Sequence, residues 1–311
     1  MAMLISCLLL FIIFSMGNTE DRCPATWTQY GLRCYKFISH PTNWITAQRN
    51  CQSLGANLAS VHNKLENKFL LSLLPSPSTR TWIGANDAVQ GGHWLWSDGS
   101  VFLYTHWCSG EPSIQRPENC LEINFTSDRC WNNEPCSHSL SYICVKDLSD
   151  CLADPQFIMP MLKSCLLLFI IFSMGNTEDA VSLSRRCPAT WMKFGLRCFK
   201  YFSHSATWIT AERNCQSLGA NLASVRNRLE NDFLLSLLPS STRTWIGGHD
   251  AIQEGHWLWS DGSVFLYSHW CTGQPDNLGV ENCLEINFTS NRCWNDAFCT
   301  TSLSYICVKD L

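Results

Sequence analysis

The number and order of the cysteines constrain this chain more than any other feature. There are 19 cysteines among 311 residues, far more than a protein kept in a reducing compartment carries. Eight lie in the range Cys23–Cys144, and eight lie in the same order in the range Cys187–Cys307. The first three recur 164 positions later (187 − 23), and the last five recur 163 positions later (271 − 108). The chain is therefore a tandem duplication of a disulfide-rich domain, with a first copy at residues 23–148 and a second copy at 187–311.

The amino-terminal residues 1–17 are typical of a secretory signal peptide. The run Leu4–Phe14 is apolar apart from one serine, and small residues flank the expected cleavage after Gly17. We therefore expect a secreted, extracellular protein, which agrees with the cysteine count. The net charge of −4 is small and dispersed, so we do not expect a nucleic-acid partner.

The linker at residues 149–186 contains a second signal-like segment, at 161–175. Residues 165–179 are identical to residues 7–21, and a methionine and a lysine precede them. The uninterrupted apolar run is far shorter than the roughly 20 residues of a membrane helix, so we expect no stable membrane insertion. Two hypotheses remain: two adjacent gene models have been joined, or a true two-domain protein keeps a relic signal in its linker. The mass of the intact secreted product distinguishes them.

Each copy shows the same local pattern, described here for the first. Apolar spacing predicts helices over Asn43–Leu54, which Gly55 ends, and over Asn63–Leu74, which Pro75 ends. Short runs of strand character follow at Thr81–Gly84, Trp94–Trp96, Cys120–Phe125 and Leu140–Lys146. We expect an α+β fold in which each copy has two helices, short antiparallel sheets and long loops tethered by disulfides.

Oxygen-bearing side chains cluster near the carboxyl end of the second copy. Gln274, Asp276, Glu281, Asn295 and Asp296 lie in three short groups among closely spaced cysteines. Carboxylate and amide oxygens without histidine suit a hard cation, and calcium accepts six to eight such ligands in irregular geometry. Three of the five carry negative charge, so the cluster predicts a calcium site.

Tryptophan motifs and the cysteine order identify the family that both copies resemble. The first copy has Trp82-Ile83-Gly84, the stretch Trp94–Gly99 and Cys144-Val145, and the second repeats them. The counterparts are Trp245-Ile246-Gly247, Trp257–Gly262 and Cys307-Val308. These motifs resemble the C-type lectin-like domain over nearly the whole of each copy. Within that family the chain is similar to fish secreted lectins of the ladderlectin and nattectin type and to fish type II antifreeze proteins.

The resemblance implies the disulfide connectivity, which spacing alone leaves open, since eight cysteines allow 105 pairings. The implied bonds are Cys23–Cys34, Cys51–Cys144, Cys108–Cys130 and Cys120–Cys136, then Cys187–Cys198, Cys215–Cys307, Cys271–Cys293 and Cys283–Cys299. The bond between Cys271 and Cys293 is similar to one in the antifreeze branch.

The resemblance also implies a sugar site on the same five oxygen-bearing residues of the second copy. In family members with a Gln-Pro-Asp motif, these positions hold calcium, and a cis bond precedes the proline, here Pro275. Two neighbouring sugar hydroxyls then bind the calcium, and the motif is associated with galactose. The aromatic residue that usually follows is replaced by Asn277-Leu278-Gly279, so we expect weak or altered selectivity. Trp294 is expected to belong to the core and not to replace that ring.

The first copy departs from this motif. Its matching residues are Glu111, Ser113, Glu118, Asn132 and Asn133, which leave two carboxylates where the second copy has three. We therefore expect weak calcium binding or none. The site is either vestigial or recognises a different surface.

Two further features bear on chemistry. Asn124 and Asn287 begin Asn-Phe-Thr sequons, and alternation in the surrounding strand predicts that each side chain faces away from the core and accepts a glycan. No Ser/His/Asp or Cys/His nucleophile arrangement stands out, so we expect a binding protein and not an enzyme.

Two functions fit these features. The favoured one is a secreted, calcium-dependent lectin for galactose-terminated glycans in innate defence or agglutination. The alternative is an ice-binding protein in which calcium orders a loop and Thr272, Thr300 and Thr301 face the ice lattice. The sequence leaves the oligomeric state open.

Overall fold

The computed structural model describes residues 23–113, 117–148 and 186–311. The predicted signal peptide at 1–17 and the signal-like segment at 161–175 lie outside the described residues, as does nearly all of the linker. Among the described residues, no helix is both long and apolar enough to span a bilayer.

The first copy contains two helices and eight strands. The helices are α1 (Trp44–Ser53) and α2 (Lys64–Ser72). The strands are β1 (Thr28–Tyr30), β2 (Arg33–Thr42), β3 (Asn57–Leu58), β4 (Thr81–Asn86), β5 (Leu95–Trp96), β6 (Cys120–Phe125), β7 (Cys130–Glu134) and β8 (Leu140–Asp147).

The second copy repeats these elements in the same order. Its helices are α3 (Trp208–Gln216) and α4 (Arg228–Ser236). Its strands are β9 (Met192–Phe194), β10 (Arg197–Ala206), β11 (Asn221–Leu222), β12 (Thr244–His249), β13 (Leu258–Trp259), β14 (Cys283–Phe288), β15 (Cys293–Ala297) and β16 (Leu303–Asp310). The predicted α+β class with two helices per copy is confirmed.

Each copy builds one eight-stranded sheet. The order in the first copy is β1-β2-β8-β4-β6-β7, with β3 paired to β8 and β5 paired to β4. The second copy has the same order in its own strands. The sheets are not wholly antiparallel as expected, because β4 runs parallel to β8 and β12 runs parallel to β16. This pairing brings the last strand of each copy into the centre of its sheet, between strands from its beginning and its middle.

In the first copy, each helix begins directly after an asparagine whose side chain caps it. The Asn43 side chain accepts a hydrogen bond from Thr46 N at 2.9 Å. The Asn63 side chain accepts from Leu65 N and Glu66 N at 2.9 and 3.0 Å. Such caps satisfy amides that have no partner inside the helix. The predicted helices are confirmed to within two residues, and the predicted ranges include the caps.

Buried tryptophans and disulfides hold each sheet to its helices. Trp44, Trp82 and Trp131 are fully buried in the first copy, as Trp208 and Trp245 are in the second. All eight implied disulfides are confirmed. The bond between residues 51 and 144 joins α1 to β8 across a sequence separation of 93, and closing a loop of that size stabilises the fold by about 4 to 5 kcal/mol on the chain-entropy model.

Candidate functional site

An edge strand of the sheet in the second copy carries two of the predicted ligands. Asn295 and Asp296 lie on β15, which pairs with β14 so that Asn295 is opposite Glu285 and Asp296 is opposite Leu284. Trp294, just before them, is fully buried. Its ring nitrogen donates to Asn231 Oδ1 on α4 at 2.8 Å. The expectation that Trp294 belongs to the core is confirmed, and its anchor fixes the position of the next two residues.

Three carboxylates converge where β14 begins and β15 ends. Asp276, Glu281 and Asp296 each place one oxygen so that the three oxygens lie within 4.8 Å of one another. Asp276 is exposed, Glu281 is half-buried and Asp296 is buried. Among the described residues, no other set of three acidic, histidine or cysteine side chains comes this close. Oxygen-only donors of this kind fit calcium better than zinc or copper.

The loop that carries Asp276 and Glu281 wraps around Asp296. Asn277 N donates to Asp296 Oδ2 at 2.7 Å, and Asp276 N donates to Asp296 Oδ1 at 3.3 Å. Glu281 N donates to Asn277 Oδ1 at 2.9 Å. The peptide bond between Gln274 and Pro275 is cis, as expected. Asp296 therefore orders the loop through its backbone amides.

The two amide residues of the predicted set also lie beside the acids. Gln274 Nε2 donates to Asp276 Oδ2 at 3.1 Å, and Asp276 N donates to Gln274 Oε1 at 3.1 Å. Asn295 Nδ2 donates to Glu285 Oε1 at 2.8 Å. Because this bond engages the nitrogen of Asn295, its side-chain oxygen is the atom suited to a cation. All five predicted residues are thus neighbours, and their role as ligands stays a prediction.

An ion pair between a partly exposed arginine and a buried glutamate lies beside Asn295. Glu285 is fully buried, and Arg243 reaches it with its Nε at 2.7 Å and its Nη2 at 2.6 Å. Burial raises the pKa of Glu285 above its usual value, and the bonds from Arg243 and Asn295 oppose that rise. The pattern in the sequence did not single out this pair, because neither residue lies in the Gln-Pro-Asp or Trp-Asn-Asp motif.

The surroundings of Glu281 disfavour its ionised form. The pKa of Glu281 is raised above its usual value, first by partial burial and then by the negative charges of Asp296 and Asp276. Like charges held this close repel each other unless a cation or a proton compensates them. A divalent cation would relieve the repulsion, so the group has the electrostatic character of a cation site.

The first copy arranges the same region differently. Asn133, which matches Asp296, donates from Nδ2 to Ser113 O at 2.8 Å and to Glu118 O at 2.7 Å. Its Oδ1 accepts from Ser113 N at 2.7 Å, and Glu111 Oε2 accepts from the same amide at 2.8 Å. Asn132 donates to the buried Glu122 at 2.8 Å, as Asn295 does to Glu285. The neutral side-chain amide of Asn133 thus both donates to the loop and accepts from it. In the second copy, the carboxylate of Asp296 only accepts from the loop.

The orientation predicted for the two sequon asparagines is wrong. Asn124 and Asn287 are each only 1% exposed. Asn124 Nδ2 donates to Thr79 O at 2.9 Å, and Asn287 Nδ2 donates to Thr242 O at 2.8 Å. Both residues have positive φ angles, 68° and 65°, so the backbone leaves regular strand geometry and the alternation used for the prediction does not apply. A glycan on either nitrogen would displace these hydrogen bonds.

Comparisons with known proteins agree with the fold. The Lectin C-type domain family model matches residues 40–146 and 204–309. Over 152 residues, the chain is 45% identical to galactose-specific lectin nattectin of Thalassophryne nattereri, covering 47% of this chain and 95% of that protein. Over 132 residues, it is 34% identical to the type-2 ice-structuring protein of Osmerus mordax, covering 42% of this chain and 75% of that protein.

A longer match spans both copies. Over 296 residues, the chain is 30% identical to C-type mannose receptor 2 of Rattus norvegicus, covering 93% of this chain. It spans only 19% of the length of that receptor. Relatives therefore include small lectins of about one copy and large receptors of which this chain matches a part.

Proposed function

Because the chain belongs to the C-type lectin domain family, we propose that its second copy is a calcium-dependent lectin site for galactose-type sugars in a secreted protein of innate defence or agglutination. The observation that carries the proposal is the convergence of Asp276, Glu281 and Asp296 within 4.8 Å. The amides of Gln274 and Asn295 border this group, and together the five residues would hold the cation.

The chemistry of the proposed site follows from these donors and acceptors. When bound, calcium would supply coordination positions for two neighbouring sugar hydroxyls. Carboxylate oxygens of Asp276 and Glu281 would accept the hydroxyl protons, while the side-chain amide of Gln274 would donate to a hydroxyl oxygen. Each hydroxyl is then fixed in orientation as well as in position, which is how a shallow site distinguishes sugar epimers.

Similarity to nattectin supports galactose as the sugar class. That relative is named a galactose-specific lectin, and the Gln-Pro-Asp order at residues 274–276 is the order associated with galactose. The eight disulfides support an extracellular location. The matched relatives are lectins, receptors and an ice-structuring protein, in agreement with a binding role and not a catalytic one.

Retention on immobilised galactose tests the proposal directly. The intact chain is applied to galactose resin in calcium and is then washed with a calcium chelator. We expect retention in calcium and release by the chelator, with immobilised mannose as the matched resin that retains less. Passage through galactose resin in calcium would contradict the proposal.

Ice binding is a second candidate, which exposed threonines support. Thr272 and Thr300 are exposed on either side of the acidic group, and Thr301 is partly exposed. Similarity to the Osmerus mordax ice-structuring protein adds to this candidate. Calcium-dependent thermal hysteresis without retention on galactose resin would favour ice as the ligand.

A further inference from the structure

A cleft with basic side chains lies outside the acidic group of the second copy. Arg197, Arg226, Lys309 and Asp310 line it, and its volume is about 440 Å³. These residues come from β10, from the segment before α4 and from β16. Pockets that hold small ligands have volumes of this order. We refer to it as the basic cleft.

Arg197 brings a buried donor without an acceptor to this cleft. The residue is only 3% exposed. Its Nη1 donates to Glu230 Oε1 at 2.8 Å, and its Nη2 donates to Ser224 Oγ at 2.6 Å. Its Nε is buried and has no hydrogen-bond partner among the described residues. A buried donor that lacks an acceptor lowers stability, so this nitrogen is suited to bind an acceptor from outside the chain.

The carboxylate next to that nitrogen is held loosely. Asp310 Oδ1 lies 3.5 Å from Arg197 Nε and 3.4 Å from Arg226 Nη2. Both distances exceed the about 2.7 to 2.9 Å of a charge-assisted hydrogen bond. The Asp310 side chain is 69% exposed, so it can turn into solvent. Another carboxylate or a sulfate could then take its place between the two guanidinium groups.

The other two acids near Arg197 are engaged elsewhere as well. Glu230 Oε2 accepts from Arg226 N at 2.7 Å, and Asp261 Oδ1 accepts from Ser263 N at 3.0 Å. These bonds to backbone amides hold both acids in place. When Asp310 turns away, three basic side chains face two acids, and the basic cleft carries a net positive charge.

We infer that the basic cleft binds the carboxylate or sulfate group of a small acidic ligand. Arg226 and the Nε of Arg197 are the donors, and Asp310 is the group that the ligand displaces. Guanidinium groups suit such oxyanions because their donors are fixed in one plane and can bind two oxygens at once. The site uses none of the predicted calcium ligands, so it adds a second ligand class to the proposed function.

The first copy differs at one of these positions. Arg33 and Asp147 match Arg197 and Asp310, with 3.7 Å between Arg33 Nε and Asp147 Oδ1. His62 stands where the second copy has Arg226. The second guanidinium group is therefore a feature of the second copy, and we assign the acidic ligand to that copy.

Titration of the intact chain with two acidic sugars tests this inference. Glucuronate supplies a carboxylate and glucose 6-sulfate supplies a sulfate, while glucose is the neutral control; all are added in chelator at constant ionic strength. We expect at least one acid to bind and glucose not to bind. Arg226→Gln should weaken binding about tenfold, because one charge-assisted hydrogen bond is lost, and Asp310→Ala should strengthen it. Arg228→Gln is the matched control, since its side chain is 85% exposed.

A nitrogen resonance locates the bound acid. The Arg197 Nε–H signal should shift as the acid is added, because this donor gains an acceptor. Failure of both acids to bind, an Arg197 signal that does not move at saturation, or equal losses of affinity in Arg226→Gln and Arg228→Gln would each overturn the inference. Galactose retention in calcium is measured separately, so the inference and the proposed function can fail independently.

Discussion

The two copies close the same loop in opposite ways. In the first copy, Asn133 donates to two backbone carbonyls and accepts from one amide, so the loop is tied together by hydrogen bonds alone. In the second copy, Asp296 can only accept, and three carboxylates gather around the loop. In one copy the residue that holds the loop is thus a neutral amide, and in the other it is a carboxylate.

The difference shows how little of the domain must change to alter a site. The supporting pair of arginine and buried glutamate is present in both copies, as Arg80–Glu122 and Arg243–Glu285. The asparagine above it, at 132 or 295, is present in both as well. The copies differ in the residue that follows this asparagine, Asn133 or Asp296, and in the acidic residues of the loop that faces it. We therefore expect that residue 296, and its counterpart 133, determine whether a copy needs a cation to bind its ligand.

Asp296→Asn should have the largest effect, because it converts the second copy to the residue of the first. One of three negative charges is lost, and an amide nitrogen can turn toward the cation. We expect calcium-dependent galactose affinity to fall by at least about 100-fold, since even second-shell partners of a metal are worth 10–100-fold. Titration with galactose in calcium measures this. Asn133 shows that the domain folds with asparagine here, so an unchanged affinity would contradict the account.

The copies differ at one buried position that affects how their stability depends on pH: the first copy has Gln48 where the second has Glu212. Glu212 is fully buried and accepts from Asn221 Nδ2 at 2.7 Å and from Leu222 N at 2.8 Å. Gln48, its counterpart, donates to Asn57 Oδ1 at 2.6 Å and accepts from Leu58 N at 2.9 Å. Burial, partly offset by these hydrogen bonds, raises the pKa of Glu212 from 4.5 to about 7.

The sign of the resulting pH dependence follows from that shift. The folded state holds the Glu212 proton more tightly, so its contribution is most favourable below about pH 4.5 and is lost as the pH rises through about 7. Glu212→Gln should remove this loss. The gain in free energy of unfolding of the variant over the wild-type chain should therefore be about 2 kcal/mol larger at pH 8 than at pH 5. Urea unfolding at both pH values measures it. Gln48→Glu, as the matched control, should introduce the same dependence into the first copy; a pH profile unaltered by Glu212→Gln would contradict the assignment.

Asn133→Asp should destabilise the first copy in chelator. The change removes two donors and sets a carboxylate against the carbonyl oxygens of Ser113 and Glu118, at a cost of about 1 to 2 kcal/mol in the free energy of unfolding. Calcium should restore part of that stability, because the variant again has three acids in the loop. Denaturant unfolding with and without calcium measures both effects. Equal stability of the variant and the wild-type chain in chelator would show that Asn133 does not hold the loop.

The sequon asparagines should behave alike in both copies and show the smallest effect. Because Asn124 and Asn287 are buried and their amide nitrogens are hydrogen-bonded, we expect no change in mass when the secreted protein is treated with a glycosidase that removes N-linked glycans. A loss of mass that maps to only one of the two sites would reveal a difference between the copies that their matching local geometry does not predict.

Much of the fold could be predicted from local patterns. The helices were recognisable because apolar spacing and a glycine or proline stop agree. β6 was recognisable to the residue because its aliphatic residues alternate. The strands β1, β2, β3 and β7 were missed. For β7 the reason is physical: Cys130–Glu134 is rich in polar residues, which have low strand propensity but are buried here by pairing with β6.

The candidate site was predictable as a set of residues but not as an arrangement. Charge and ligand type single out Asp276, Glu281 and Asp296, and their convergence needs the tertiary pairing of β14 with β15. The function of Asn133 as a hydrogen-bonded bridge depends on the path of the backbone around it.

Calorimetric titration of the intact chain with calcium tests the central claim most directly. We predict uptake of calcium by the wild-type chain, loss of that uptake with Asp296→Asn, and unchanged uptake with the matched first-copy variant Glu118→Gln. No uptake by the wild-type chain, or uptake that persists in Asp296→Asn, would contradict the claim that the second copy alone holds the cation.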